Sequence, residues 1–470
     1  MSSSSSSSST PTSSSYRIGT RATAANNRAV TPEASVLRSL FDLRKSRGAD
    51  TTNNSDSNNN NNSDSNSNSN SNDTLTFRNC RWSPRVLASL RKLLARDRRK
   101  FSVIRFVDCS IEESPESSAM FSEVLTTILE NNATKSLVVK GGRLIGSYYD
   151  SNDNYNDNHN HSDNDNEERH VRTTCGSFSR SPAMSNPFIV AALEKGISAN
   201  TGLESLRLSG LRFANNDNDE TSWFESLASN TTLRSLDLSD TKLSSPCATT
   251  VRALSGALSR NKGLRSLSFR GSSLDDASMG LLIDSLGDHP VLSHWNLSGN
   301  RLGVAAGSSG SGGSSTLALD ALSGLLRSRG SRLRSLDLSH QNRAPVARVV
   351  AAAGERDREP PPPSSEESFR SSLRAALGAL SSNTVLSSID LSGNRGLFSD
   401  LPTTTAVSDC LAANRGLRHA DLSSCGTTTE GIASLARDCL PRCGSNLKSL
   451  VLFADGDEQQ QQQQQQHNGD

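Results

Sequence analysis

Four side chains of metal-binding type, His159, His161, His170 and Cys175, lie in or just beyond an Asn- and Asp-rich tract at 150–168. Zinc sites need Cys or His pairs at short fixed spacings, and a calcium loop needs a central Gly among alternating oxygen donors. The tract offers neither pattern, and its apolar-poor composition gives ligands no rigid support, so no metal is expected. Cys439 and Cys443 stand one helical turn apart. That spacing reads as thiols packed into the end of a fold, ahead of a metal site or a disulfide. The run GSSGSGGSS at 307–315 lacks the lysine of a phosphate-binding loop, which removes an ATPase module. No serine is paired with a base by spacing. The chain is therefore read as a non-enzyme, with no catalytic residue and no cofactor.

Composition narrows the partners. The 470 residues carry 50 basic and 49 acidic side chains, a net charge of +1, so no overall field favours nucleic acid or an anionic membrane. No run of apolar residues is long enough for a membrane span. Eight cysteines scattered along the chain suit buried thiols in a reducing compartment. An intracellular, cytoplasmic setting is expected. Two features keep other addresses open: RDRRK at 96–100, read first as the basic last turn of a helix beginning near Pro84, and Arg17, Arg21 and Arg28 ahead of the first acid, Glu33. Only 33% of residues are apolar and 4% aromatic. The deficit sits in Ser, Asn, Gly, Pro and Gln tracts that cannot bury enough apolar surface to fold.

What must position any functional residue is a repeat. LRSLDLS occurs at 233–239 and again at 333–339, with relatives LESLRLS at 203–209, LRSLSFR at 264–270, LSHWNLS at 292–298, LSSIDLS at 386–392, LRHADLS at 417–423 and LKSLVLF at 447–453. Their first leucines are 30, 31, 28, 41, 53, 31 and 30 residues apart. The two long intervals contain the Gly/Ser and Pro-rich tracts. Earlier copies, LTFRNC at 75–80, FSVIRFVDC at 101–109 and SLVVKGG at 136–142, bring the count to eleven strands. Within each phrase apolar and polar residues alternate, as in a strand with one buried face. Between phrases, segments such as 251–263, 277–287, 369–383 and 430–440 space their apolar residues as helices do.

A strand and a helix every 30 residues make parallel strands with helical crossovers. One such unit cannot close its own core, so units must stack into an α/β solenoid. Polar ninth positions such as Asn300 and Asn394 are expected to bond turn backbone beyond each strand. The solenoid is assigned to 73–456, with insertions near 143–183, 303–315 and 343–365 on one rim. Residues 1–72 and the Gln-rich 457–470 are assigned to disorder. Val36, Leu37, Leu40, Phe41 and Leu43 make 32–47 an amphipathic helix, either a cap or a partner-binding segment.

The LRSLDLS phrase, its polar ninth position and its 28–31 residue spacing resemble leucine-rich repeats of the ribonuclease-inhibitor-like class, which includes repeat domains of NOD-like receptors and Ran GTPase-activating proteins. The resemblance implies a horseshoe of about eleven repeats, with strands on the concave face and helices on the convex face. It also implies protein binding. A monomeric scaffold for another protein is the first expectation; a regulator of a Ran-like GTPase and a signalling or host-defence receptor-like protein are the alternatives. Outward strand positions supply the candidate partner-binding residues: Arg78, Arg105, Lys140, Arg207, Asp237, Arg270, His294, Asn296, Asp337, Asp390, His419 and Asp421. Bases gather in the early strands and acids in the later ones, a polarity that would orient a partner. Trp295 falls at an inward position, so no aromatic anchor is expected.

Overall fold

The computed structural model describes residues 15–19, 74–96, 101–112, 114–140, 187–210, 222–241, 243, 248–302, 317–328, 330–341, 364–394, 400–426, 432–433, 435–443 and 446–452. The His/Asp tract, the segment 32–47, the insertions at 143–183 and 303–315, most of that at 343–365, and the Gln tail lie outside them.

The chain runs β1 (Ser15–Gly19), β2 (Thr74–Arg78), β3 (Arg81–Trp82), α1 (Pro84–Arg96), β4 (Val103–Val107), β5 (Ser110–Ile111), α2 (Pro115–Leu129) and β6 (Ser136–Lys140). It continues α3 (Pro187–Ala199), β7 (Ser205–Leu208), α4 (Ser222–Ser229), β8 (Ser235–Asp237), α5 (Ala248–Arg260), β9 (Ser266–Ser268), α6 (Asp276–Leu286) and β10 (His294–Asn296). It ends α7 (Leu317–Arg327), β11 (Ser335–Asp337), α8 (Ser364–Ser382), β12 (Ser388–Asp390), α9 (Leu401–Ala413), β13 (His419–Asp421), a π-helical turn (Leu435–Cys439) and β14 (Ser449–Val451). Twelve strands form one parallel sheet in chain order, and β3 with β5 makes a small second sheet. Each helix packs against the next, and the π-turn packs on α9. Strand–helix alternation along one parallel sheet is the architecture of an α/β repeat solenoid. No helix among the described residues is long and apolar enough to cross a membrane.

Two elements differ from expectation. β1 comes from the Ser-rich region assigned to disorder and pairs with β2 in the register Ser15 to Thr74 through Gly19 to Arg78. The edge of β2 would otherwise present unpaired backbone groups, and a five-residue strand covers them. The segment 430–440 was expected to be an ordinary helix, but its described core, Leu435–Cys439, is a π-turn.

The core follows the repeat. Leu206, Leu236, Leu267, Trp295, Leu336, Ile389 and Ala420 occupy one register row and are all buried. In the first units aromatics replace leucine: Phe77 stacks on Phe106 at 5.3 Å between centroids, and Trp82 meets Phe77 edge-on at 4.9 Å. In most units a turn residue just past the strand is left-handed: Asn79, Asp108, Gly210, Asp240, Gly271, Gly299, His340, Gly393 and Ser424. Most of their amides donate across to the next unit, as in Gly271 N to Ser298 O at 2.8 Å and His340 N to Ser392 O at 2.7 Å. Sheet pairing therefore continues into the turns.

Candidate functional site

Strand register sorts the outward side chains into rows. The first row carries Ser136, Ser205, Ser235, Ser266, His294, Ser335, Ser388 and His419. The second carries Arg105, Val138, Arg207, Asp237, Ser268, Asn296, Asp337, Asp390 and Asp421. Beyond their strands' middle residues lie Arg78 and Lys140, at the ends of β2 and β6, and Arg270, just past β9. All twelve sequence candidates thus share one face of the sheet. A polar cleft of about 520 Å³ runs along its middle, lined among others by Arg105, Arg207, Asp237, Asn296 and Asp337.

The second row is largely bonded to itself. Asp237 Oδ1 accepts from the amide of Ser239 at 3.0 Å and from its hydroxyl, while Oδ2 accepts from Arg207 Nε. Asp237 is consequently 8% exposed. Asn296 takes the same bonds from Ser298 and donates Nδ2 to Asp337 Oδ2 at 2.7 Å. Asp337, Asp390 and Asp421 accept from the amides of Ser339, Ser392 and Ser423 at 2.9–3.0 Å. These are i to i+2 side-chain bonds that close the turn leaving each strand. The recurring Asp-Leu-Ser of the sequence is therefore a turn device first. Among the described residues it leaves charge without an internal partner at the two ends and at Arg270, just past β9. Arg78, Arg105 and Lys140 are exposed and pair with no acidic side chain among the described residues. Oδ2 of Asp390 and of Asp421 accepts from no donor among them. His294 and His419 are exposed, and His294 Nδ1 sits 2.8 Å from the Ser293 hydroxyl. Arg270 is exposed, and its backbone carbonyl accepts from Asp240 N at 2.6 Å.

Two polar ladders stiffen the sheet from behind. The ninth-position ladder is as expected: Asn300 Nδ2 donates to Phe269 O and Leu297 O, and Asn394 Nδ2 to Leu338 O and Leu391 O, at 2.7–2.9 Å. The second ladder was missed. Asn200, Asn230, Asn261, Asn383 and Asn414 each stand three residues before a strand leucine, whose amide donates to their Oδ1. Each Nδ2 reaches a carbonyl of the preceding unit. His289 fills the same rung: Nε2 lies 2.6 Å from Asn261 O, and Nδ1 accepts from Leu292 N at 3.0 Å. That pattern needs the neutral ring with its proton on Nε2. Burial pulls the His289 pKa below its usual value; the bond to Asn261 opposes this, and the charge of Lys262 adds to it. The signal was present as a recurrent Asn-x-x-Leu, with His289 as the disguised member.

Trp295 is buried as expected, and its indole Nε1 has no hydrogen-bond partner among the described residues. Among the described residues no three His, Cys, Asp or Glu side chains are grouped to hold a metal.

No protein-family model and no curated protein matches this sequence. Chains of solved structures do match, 103 of them. One, titled "Leiomodin-1 Actin-Binding Site 2 (ABS2)", is 12% identical with a TM-score of 0.25, over 54% of this chain and 98% of that one. A likeness that slight transfers neither fold nor ligand.

Proposed function

We propose that the chain is a non-enzymatic scaffold of the leucine-rich repeat, ribonuclease-inhibitor-like class. In this reading its units stack into a horseshoe whose concave surface is the outward sheet face, and a partner protein docks there. One observation carries it: among the described residues the middle of the second row bonds largely to itself, while opposite charges stand without an internal partner at its ends. Arg78, Arg105 and Lys140 await acidic side chains, and Asp390 and Asp421 await basic ones. With strands about 4.8 Å apart, Arg105 and Asp421 are separated by roughly 40 Å of sheet. The partner therefore presents a long polar surface of matching polarity, with charge setting its orientation.

The test is proximity labelling in cells with the full chain. Two charge-reversed forms, Arg78→Glu with Arg105→Glu and Asp390→Lys with Asp421→Lys, are each expected to lose the same specific neighbours. A neighbour set unchanged in both would overturn the proposal.

A further inference from the structure

The described thiols other than Cys443 (Cys80, Cys109, Cys410, Cys425 and Cys439) are buried; Cys443 is partly exposed. Its Sγ lies 3.2 Å from Sγ of Cys439, which is 0% exposed. The contact is held by backbone: Arg442 N and Cys443 N both donate to Cys439 O, at 2.9 and 2.8 Å. Pro441 stiffens the same turn, since its ring fixes φ. The turn directly follows the π-helical segment Leu435–Cys439, a form of backbone often found at functional sites. Arg442, which leans on Asp409 at 3.0 Å, brings a positive charge beside the pair. Spacing alone reads these cysteines as packing; the structure adds that their sulfurs touch and that, of the described thiols, only Cys443 is partly exposed.

We propose that Cys443 and Cys439 form a dithiol site that reacts with low-molecular-weight disulfides and closes reversibly into an intramolecular disulfide. The Cys443 thiolate attacks one sulfur of the small disulfide, whose S–S bond breaks and releases one thiolate. The Cys439 sulfur, passing its proton to that thiolate through solvent, then attacks Sγ of Cys443 and expels the second. Two protein thiols are oxidised and one small disulfide is reduced to two thiols. The order of attack follows from access and from the burial of Cys439. Burial, then the hydrogen bond to Cys443, push the Cys439 thiol up to about 12, so it keeps its proton until the mixed disulfide stands beside it. Cys80 and Cys109 also neighbour one another, but both are buried and out of a reagent's reach. The site lies behind β13 and β14, so oxidation ties the last turn of the stack next to the acidic end of the sheet face.

The probe is oxidised glutathione added to the full-length native protein, followed by alkylation, trypsin and mass mapping. Cleavage after Arg437, Arg442 and Lys448 puts the two cysteines on separate peptides, 438–442 and 443–448, so the disulfide appears as their cross-linked pair. The wild type is expected to give that pair at least about tenfold over glutathione retained on Cys443, because a held second thiol resolves the adduct quickly. Cys439→Ser is expected to retain glutathione on Cys443, and in urea the preference for the pair is expected to disappear. A stable Cys443 adduct in the native wild type, a cross-link to Cys410 instead, or no reaction at Cys443 would each overturn the proposal, with no variant required to fold.

Discussion

Asn261 is the rung of the asparagine ladder at which loss can be worked out bond by bond. It is 0% exposed. Its Nδ2 donates to Leu227 O at 2.6 Å and Asn230 O at 2.8 Å, and its Oδ1 accepts from Gly263 N at 2.8 Å and Leu264 N at 2.9 Å. In Asn261→Ala, Leu227 O keeps a contact from Asn230 N, but Asn230 O and the two amides are left bare. A buried polar group without a partner costs about 1–3 kcal/mol, and water entering the small void recovers some of it, so the expected loss is about 4 kcal/mol. Asn261→Asp keeps the acceptor, removes the donor and buries a charge, and should do no better. Asn446→Ala is the control: Asn446 makes one comparable bond, to Arg415 O at 2.9 Å, from an exposed position, and should lose less than about 1 kcal/mol. Urea unfolding measures the size of the effect. Hydrogen exchange at the Leu264 amide tests its location, because protection there should collapse even if the stack unfolds unit by unit. A loss below about 1 kcal/mol for Asn261→Ala, or an unchanged Leu264 amide, would refute the idea that this ladder couples the units.

Further outcomes follow from neighbouring contacts. His289 is held neutral in the fold, whereas an unfolded histidine takes its proton near pH 6.5. Its contribution is therefore complete above that pH and is lost as pH falls toward the lowered folded value; His289→Asn should flatten this part of the stability–pH curve measured by urea titration. Asp421→Asn keeps the oxygen that accepts from Ser423 and removes a charge lying next to Asp390, so its stability should match or exceed the wild type. Asp421→Ala, which loses the turn bonds, should fall by about 1 kcal/mol, and equal losses in the two variants would assign the residue to charge alone. Gly393 has φ +69° and an added Cβ would stand 2.2 Å from His340 Nδ1, so Gly393→Ala should cost about 1–3 kcal/mol. Gly256, in α5 with open space around it, should gain up to about 1 kcal/mol as alanine, both changes being read by urea unfolding.

Most of the sheet was legible because a two-residue alternation inside a 30-residue period leaves few other ways to bury leucine. Eleven strands were placed by it, including the aromatic variants at Phe77 and Phe106. β1 was hidden because five residues at the end of a serine tract, SYRIG, carry too little pattern to be recognised, and the edge of β2 gives them a partner. The π-turn was hidden for a related reason: apolar spacing of three and four does not distinguish helix types over one turn. On the sheet face, orientation was readable but occupancy was not. Period two places Asp237 and Asp337 outward, yet only coordinates show that one oxygen of each serves the following turn and that Arg207 and Asn296 take the other. His289 was unreadable as a ladder residue because its likeness to asparagine lies in the placement of one donor and one acceptor.

On the scaffold proposal, that distinction decides where a partner would bind. A side chain already bonded within its own sheet offers a partner only an exchange of one hydrogen bond for another, with little net gain. The middle of the second row, from Arg207 to Asp337, is in this condition, and identical Asp-Leu-Ser turns in separate units cannot tell one partner from another. Three carboxylates on adjacent strands, Asp337, Asp390 and Asp421, repel one another in the free protein. A cationic partner group near Asp390 and Asp421 would relieve that repulsion, and an anionic one near Arg78, Arg105 and Lys140 would do the same at the other end. Under the scaffold proposal, specific affinity would therefore belong to the ends of the face, and the self-bonded middle of the second row would keep them a fixed distance apart.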